Sequence, residues 1–388
     1  MPNERLWSPE FISMGLTNFF IFISHYSLIA SMPVIIIDHL GGTEMDTGLA
    51  MTFFQIGTVT FRPLAGRIID AINKRRLMLA ATILFFLTML GYSFFHSLSS
   101  IYPLRIIHGI IFSLSTTAAA ALAAMILPDR YKGSGIGYFA VTTNLAMVVG
   151  PCLGLVIAGS FGPSGLFIFL AMLGISVLIS GNCCQLPANI TEPPATKDHH
   201  LKLSDFIEKR SLSAAFFGGC VFFTYGGVLT LIAIYTKSLG MQSETSLFFA
   251  VFAAIIVFTR PFIGRLFDKK GPDSVIYPGL ILFILGLFIL GHIESLSGLI
   301  IAAIILGLGF GAVSPAFHTL AVKAAPPERS GVATATYFWS LDISVGLAAT
   351  LLSIAANQWG YALMYGTIST SATALTLLFY FIWRHHQI

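Results

Sequence analysis

Asp342 lies in the middle of a long apolar run, in Phe338-Trp339-Ser340-Leu341-Asp342-Ile343-Ser344, and Arg105 stands about two helical turns into another. Desolvation penalises the charged form of a carboxyl. An acid in such a setting can therefore exchange a proton near physiological pH, which is the chemistry that proton coupling needs. The same carboxyl could equally act as counter-charge to a cationic ligand or as a hydrogen-bonding structural group, and the sequence leaves all three open. Arg105 suits the tuning of such an acid or the holding of an anionic group. His25 and His318 also sit in apolar runs; imidazole relays protons near neutral pH, and as often it simply packs. Tyr26, Asn144 and Tyr225 supply polar handles for a cavity. There is no H-E-x-x-H, no paired catalytic acids, no G-x-S-x-G and no phosphate-binding P-loop, so neither an enzyme nor an ATP-driven machine is expected, and no metal or cofactor is called for.

A second set of residues repeats. Arg62-Pro63-x-x-Gly66-Arg67-x-x-Asp70 recurs as Arg260-Pro261-x-x-Gly264-Arg265-x-x-Asp268, an offset of 198. At that offset Gly109 falls on Gly307 and Asn144 on Asp342, while Asp129-Arg130 matches Glu328-Arg329 one residue further on. Tyr26 has a counterpart in Tyr225. One offset shared by separate motifs implies a duplicated chain whose two copies run in the same orientation.

These residues must be positioned by helices in lipid. The 388 residues are 56% hydrophobic and only 10% charged, against roughly 25% charged for a soluble domain. That balance excludes a soluble globule, a disordered chain and a coiled coil, and nothing basic and aromatic interleaves as nucleic-acid binding would require. Twelve apolar runs are long enough to cross a bilayer: 10–37, 47–69, 77–96, 99–127, 134–158, 164–186, 211–236, 244–267, 274–293, 297–324, 331–356 and 360–383. The first run is longer than a signal-peptide core and has no small-residue cleavage pattern, so it is expected to remain as a helix. The expected fold is an all-α membrane protein of twelve helices in two pseudo-symmetric six-helix bundles, 1–186 and 211–388, joined by a polar linker at 187–210 that holds His199-His200 and an Asn189-Ile190-Thr191 sequon. Neither feature carries weight in a wetted loop. Cys152, Cys183, Cys184 and Cys220 have no metal or redox spacing and read as small buried hydrophobes.

Charge orients the bundle. With an even number of spans, nearly all of the 21 Lys and Arg fall on the side of the termini and linker; Lys237 alone falls on the other side, and Arg62, Arg105 and Arg260 fall within spans. The positive-inside rule places both termini and the linker in the cytoplasm of a cell membrane. Arg62 and Arg260 are one turn from the repeated loop motif, so snorkelling to the membrane face or contacts within the latch suffice for them.

With these motifs the chain resembles the major facilitator superfamily over its whole length, and within it the twelve-span drug:proton antiporters. The family's G-x-L-a-D-r-x-G-r-k loop is met by Gly66, Asp70, Lys74 and Arg75, with Asn73 in place of its second Gly; the second copy keeps that glycine as Gly271. Its R-x-x-x-G is Arg105 to Gly109, and its antiporter motif G-P-x-x-G-G is Gly150-Pro151-Cys152-Leu153-Gly154, with Leu155 ending the pattern. The resemblance implies alternating access around a midplane cavity. It also implies a conformational latch: Asp70 against the helix start at Ser330-Gly331, Asp268 against Gly133-Ser134, with Gly66, Gly264, Arg75, Arg130 and Arg329 in support. Gly150, Pro151 and Gly154 would kink the fifth span and close an outer gate. The expected activity is proton-coupled export of small organic molecules, such as drugs or metal-chelating metabolites. Its expected partners are that cargo, protons and the lipid bilayer, with no nucleic acid, and the family default is a monomer. The alternative is a proton-coupled importer of a small polar metabolite on the same fold.

Overall fold

The structure is a computed structural model that describes residues 5–94, 97–184, 205–241 and 244–385. Most of the expected linker, with His199, His200 and Asn189, lies outside the described residues. Those described are helices joined by short turns, with no strand among them. The helices are α1 (Pro9–Val34), α2 (Glu44–Ala71), α3 (Lys74–Gly91) and α4 (Leu98–Ile126). The stretch Lys132–Asn182 is broken at Gly162 into α5 (132–161) and α6 (163–182). Next come α7 (Leu212–Ser238), α8 (Thr245–Lys270), α9 (Asp273–Gly291) and α10 (Leu296–Ala324). The stretch Ser330–Leu363 is broken at Gly360 into α11 (330–359) and the start of α12 (361–385), which continues through one wider turn at Met364–Ser369. The all-α architecture expected from the hydropathy runs is present.

Among the described residues, eight helical stretches are long and apolar enough to cross a membrane, and two of them are 54 and 59 residues long. A single crossing takes about 20 residues, so each long stretch serves for two. The reversal falls at Gly162 (φ 67°) and Gly360 (φ 82°), a left-handed backbone that only glycine adopts at no steric cost. Surface composition agrees with a lipid environment: Phe258, Phe262 and Ile168 are 74%, 71% and 60% exposed, which water would penalise and hydrocarbon does not.

The helix starts are set by short polar side chains. Ser8 accepts the amide of Phe11 at 3.2 Å and begins α1. Thr43 and Asp46 form a reciprocal capping box on α2. Asn73 accepts the amide of Arg76 at 3.2 Å and caps α3. This gives a physical reason for Asn73 in the first copy of the loop motif. In the second copy the equivalent Gly271 ends α8 at φ 82° instead, and a cap at one helix start replaces a glycine stop at the previous helix end.

The chain packs as two units. One holds residues 1–129, 142–209 and 325–339; the other holds 130–141, 210–324 and 340–388. Each unit thus takes the first turns of a helix whose remainder belongs to the other: α11 in the first case, α5 in the second. In the first unit Ile21, Phe54, Phe85, Met89, Leu166 and Leu170 form a buried core. In the second, Phe252, Phe283, Leu287 and Phe317 are fully buried. One sequence expectation needs correction and another is narrowed. Cys152 and Cys183 are exposed rather than buried, since a small thiol is as compatible with lipid as with a core. Arg62 and Arg260 do not snorkel: each is 3% exposed, because neighbouring helices offer acceptors closer than the membrane face.

Within the first unit α2 and α4 meet where side chains are absent. A Cβ on Gly57 would lie 2.2 Å from the Ile106 carbonyl oxygen, and one on Gly109 would lie 2.1 Å from that of Phe54. Gly57→Val is expected to force the two helices apart and cost about 1–3 kcal/mol, the usual scale of overpacking. Thermal unfolding in detergent would register this as a drop of several degrees. Gly159→Ala, with nothing within 4 Å of its Cβ, should leave the transition unchanged or slightly raised.

Candidate functional site

The two motif aspartates meet helix starts. In the first unit Asp70, at the end of α2, accepts the amides of Gly331 and Val332 at 2.8 Å each. In the second unit Asp268, at the end of α8, accepts those of Gly133 at 2.8 Å and Ser134 at 2.9 Å, and also the Ser134 hydroxyl. The partners obey the sequence offset: 331 and 332 stand to 133 and 134 as 268 stands to 70. Each carboxylate answers amides that a helix leaves unpaired at its start and lies at the positive end of the helix dipole. Such an anion is worth about 0.3–1 kcal/mol, rising to ~2 when partly buried. Asp70 is 9% exposed, so its contact belongs to the stronger end.

Glycines make that approach possible. A Cβ on Gly66 would lie 2.5 Å from Ala335 Cβ, and one on Gly264 would lie 2.7 Å from Ser134 Cα. On the other side of each contact, a Cβ on Gly331 would come within 2.6 Å of Asp70 Oδ1, and one on Gly133 within 2.6 Å of Asp268 Oδ1. Lys74 closes the end of α2 from behind: its Nζ donates to the carbonyls of Asp70 at 2.9 Å and Ile72 at 3.2 Å, a cation where a helix leaves carbonyls unpaired. Arg75 is exposed at the start of α3. Arg329 forms an ion pair with buried Glu208, whose own amide donates to the Thr336 hydroxyl at 3.0 Å. Arg130 lies over the ring of Tyr131 at 4.8 Å. Glu208 escaped the sequence reading, since it sits in a polar stretch next to other charges and no spacing sets it apart.

The intramembrane arginines of the motif are buried among neutral acceptors. Arg62 Nη1 donates to Thr116 at 3.0 Å and Thr117 at 3.2 Å, and its guanidinium lies 5.4 Å from the Phe338 ring. Arg260 Nη1 donates to the Gly311 carbonyl at 2.8 Å. Its guanidinium fills the space that a side chain at Gly137 would need: a Cβ there would be 1.6 Å from Nη2.

Arg105 is fully buried in the first unit. Its Nε donates to the Ala50 carbonyl at 3.1 Å, its Nη2 approaches Met51 Sδ at 3.2 Å, and its guanidinium lies 4.8 Å from the Phe54 ring. Nη1 reaches both the Tyr92 hydroxyl and His108 Nδ1 at 3.5 Å. The Tyr92 hydroxyl lies 3.0 Å from the same ring nitrogen. Nε2 of His108, like Nδ1 of His25, is buried without a hydrogen-bond partner. His25 lies against Phe54 and Phe112 at 4.7 and 4.6 Å, tilted by 32° and 30°, and His108 meets Phe54 edge-on at 5.0 Å. The structure thus brings Arg105 and His25 into one aromatic pocket and adds Tyr92 and His108. His108 was visible in Arg105-Ile106-Ile107-His108-Gly109, one turn from the arginine, whereas Tyr92 needed the packing of α3 on α4.

The remaining predicted residues are spread over both units. Gly150 and Gly154 pack α5 on α1: the Ser27 hydroxyl donates to the Gly150 carbonyl at 2.7 Å, and a Cβ on Gly154 would lie 2.6 Å from the Ser27 carbonyl oxygen. Pro151 is half-buried between them. Tyr26 is half-buried beside His25, with ring centroids 5.3 Å apart, and Asn144 is half-buried on α5. In the second unit Tyr225 stacks on Phe310 at 3.9 Å and His318 is 6% exposed on α10. Asp342 is half-buried on α11. Ser340 on the same helix donates to the Ala215 carbonyl of α7 at 2.7 Å, and a Cβ on Gly219 would meet the hydroxyls of Ser340 and Ser344. Those two residues flank Asp342 by two positions each way, so the carboxyl points away from that α7 contact.

Comparison with known proteins agrees with this architecture. Residues 14–349 match the model of the Major Facilitator Superfamily. The MFS-type transporter MJ1560 of Methanocaldococcus jannaschii is 24% identical over 87% of this chain and 89% of its own. The multi-drug resistance efflux pump PmrA homolog of Lactococcus lactis is 25% identical over 74% of this chain and 73% of its own. The MFS-type transporter YhhS of Escherichia coli is 25% identical over 96% and 91%. In fold, the chain is similar to the human organic anion transporter MFSD10 (TETRAN), with a TM-score of 0.79 at 15% identity, covering 97% of this chain and 99% of that one. With apolar helices throughout the described residues, a duplicated loop motif whose aspartates hold helix starts, and a family match over most of its length, this chain belongs to the Major Facilitator Superfamily and is a multi-pass membrane transporter.

Proposed function

We propose that this transporter is a proton-coupled exporter of small organic molecules, acting as a monomer in the cell membrane. Two halves, 1–186 and 211–388, joined by a cytoplasmic linker at 187–210, rock about a central cavity with both termini in the cytoplasm. The observation that carries the reading is the pair of carboxylate contacts, Asp70 with Gly331 and Val332 and Asp268 with Gly133 and Ser134. Each links residues from opposite halves of the sequence, so opening the cytoplasmic side must break both. They act as a latch of the outward-open state. At about 1–2 kcal/mol each, cargo or a proton can overcome them, because a ligand shifts an equilibrium only by its differential affinity for the two states. Gly150-Pro151-x-x-Gly154 favours export by resemblance, and the Lactococcus lactis relative is by name an efflux pump.

Asp342 carries the proton. It is the acid set deepest in the spans, and protonation from outside removes a charge whose burial costs about 2.5–3.5 kcal/mol on insertion scales. Arg105 and His25 assist in coupling. Tyr26, Asn144, Tyr225 and His318 line the cargo path.

Two measurements test this reading. In inverted membrane vesicles, an acid interior should drive cargo inward. Asp342→Asn should abolish that uphill uptake while gradient-independent exchange persists; uphill transport unchanged in the variant defeats the proton assignment, and cargo leaving together with protons establishes the importer instead. For the latch, Asp70→Asn and Gly331→Ala should each weaken closure by about 1–2 kcal/mol, roughly five- to thirtyfold in population. Cysteine-accessibility labelling at the inner ends of α4 and α10 should rise accordingly, and unaltered labelling in both variants removes the latch.

A further inference from the structure

The proposed transport cycle uses none of the four cysteines, yet two of them are neighbours in chain and in space. Cys183 and Cys184 follow directly on the last turn of α6 with their sulfurs 3.7 Å apart. A disulfide would hold them at ~2.05 Å, so both are free thiols, as are Cys152 and Cys220. Cys183 is exposed and Cys184 half-buried, which leaves the pair open to a reagent. Cys183 Sγ also donates to the Ser180 carbonyl at 3.3 Å and lies 3.7 Å from the Ser13 hydroxyl of α1. These contacts fix its side chain in the position that faces its neighbour. Cys152 on α5 and Cys220 on α7 have no cysteine beside them in the chain.

Two thiolates that clamp one centre need a set separation. Two bonds of ~2.3 Å to one centre hold the sulfurs about 3.3 Å apart at a right angle and about 3.8 Å apart at a tetrahedral angle; a pyramidal trivalent centre falls inside that range, as does the 3.7 Å seen here. Thiolates select soft acceptors, and the thiolate is the form that binds. We propose that Cys183 and Cys184 form a bidentate site for a thiophilic centre of the trivalent arsenical class. The reaction is a ligand exchange. An organoarsenous acid, R–As(OH)2, forms one As–S bond to each cysteine, and both As–O bonds break. The two thiol protons leave with the two hydroxyl groups as water, and arsenic remains trivalent, so no oxidant or reductant is needed.

The experiment uses the full chain in detergent with Cys152 and Cys220 replaced by Ser, passed over immobilised phenylarsine oxide. The chain is expected to be retained through a monothiol wash and released by 2,3-dimercaptopropanol. Intact mass after treatment with free phenylarsine oxide should show one adduct per chain and the loss of both alkylatable thiols. Adding Cys183→Ser or Cys184→Ser should lower retention at least tenfold. Flow-through of the parent variant, or retention that survives either added replacement, overturns the site. Should the added replacements fail to fold, iodoacetamide alkylation of the folded parent replaces them: it must abolish retention, and persistent binding overturns the proposal equally.

Discussion

A helix start that carries unpaired amides needs an acceptor, and in this transporter the acceptor comes from the other copy of the duplicated sequence. Asp70 and Asp268 each answer two amides, at 2.8–2.9 Å. Much else follows from that constraint. Gly66, Gly133, Gly264 and Gly331 must lack side chains, because any Cβ would fall below 3.0 Å from its neighbour. Lys74 must fold back on the carbonyls that α2 leaves open. The two units exchange the first turns of α5 and α11, since those turns are held by the carboxylates and the remainder of each helix by packing elsewhere.

Buried cations are the second recurring problem, and three arginines solve it differently. Arg62 is answered by two threonine hydroxyls and an aromatic face, and Arg260 by one carbonyl and the space left by Gly137. Arg105 has a carbonyl, a thioether, a phenol and an imidazole. Neutral acceptors of this kind lower the cost of a buried charge without cancelling it. In the Arg105 pocket the guanidinium and the Tyr92 hydroxyl both face His108 Nδ1, so one ring nitrogen gathers the polar contacts of the site.

Duplication explains why equivalent positions diverge in detail while the contacts persist. Asn73 begins α3 with a side-chain cap, whereas Gly271 ends α8 with a left-handed turn. Ser134 adds a hydroxyl to the second carboxylate contact, where the first copy has Val332. Either variation leaves the carboxylate and the amides in register, because the backbone geometry of a helix start does not depend on the side chains around it.

The sequence alone determined the class of molecule, the number of apolar runs, the duplication and the motif residues. These depend on composition and period, which are local properties of a chain in lipid. It also pointed to the Asp70 and Asp268 contacts, through the offset and the resemblance. It misjudged the burial of Cys152 and Cys183 and left open whether Arg62 and Arg260 snorkel, because exposure is decided by which helix packs against which. Tertiary structure alone brought Tyr92 to His108 and paired Arg329 with Glu208. Each of those depends on distances of a few ångströms between side chains whose order in the chain does not fix where they meet.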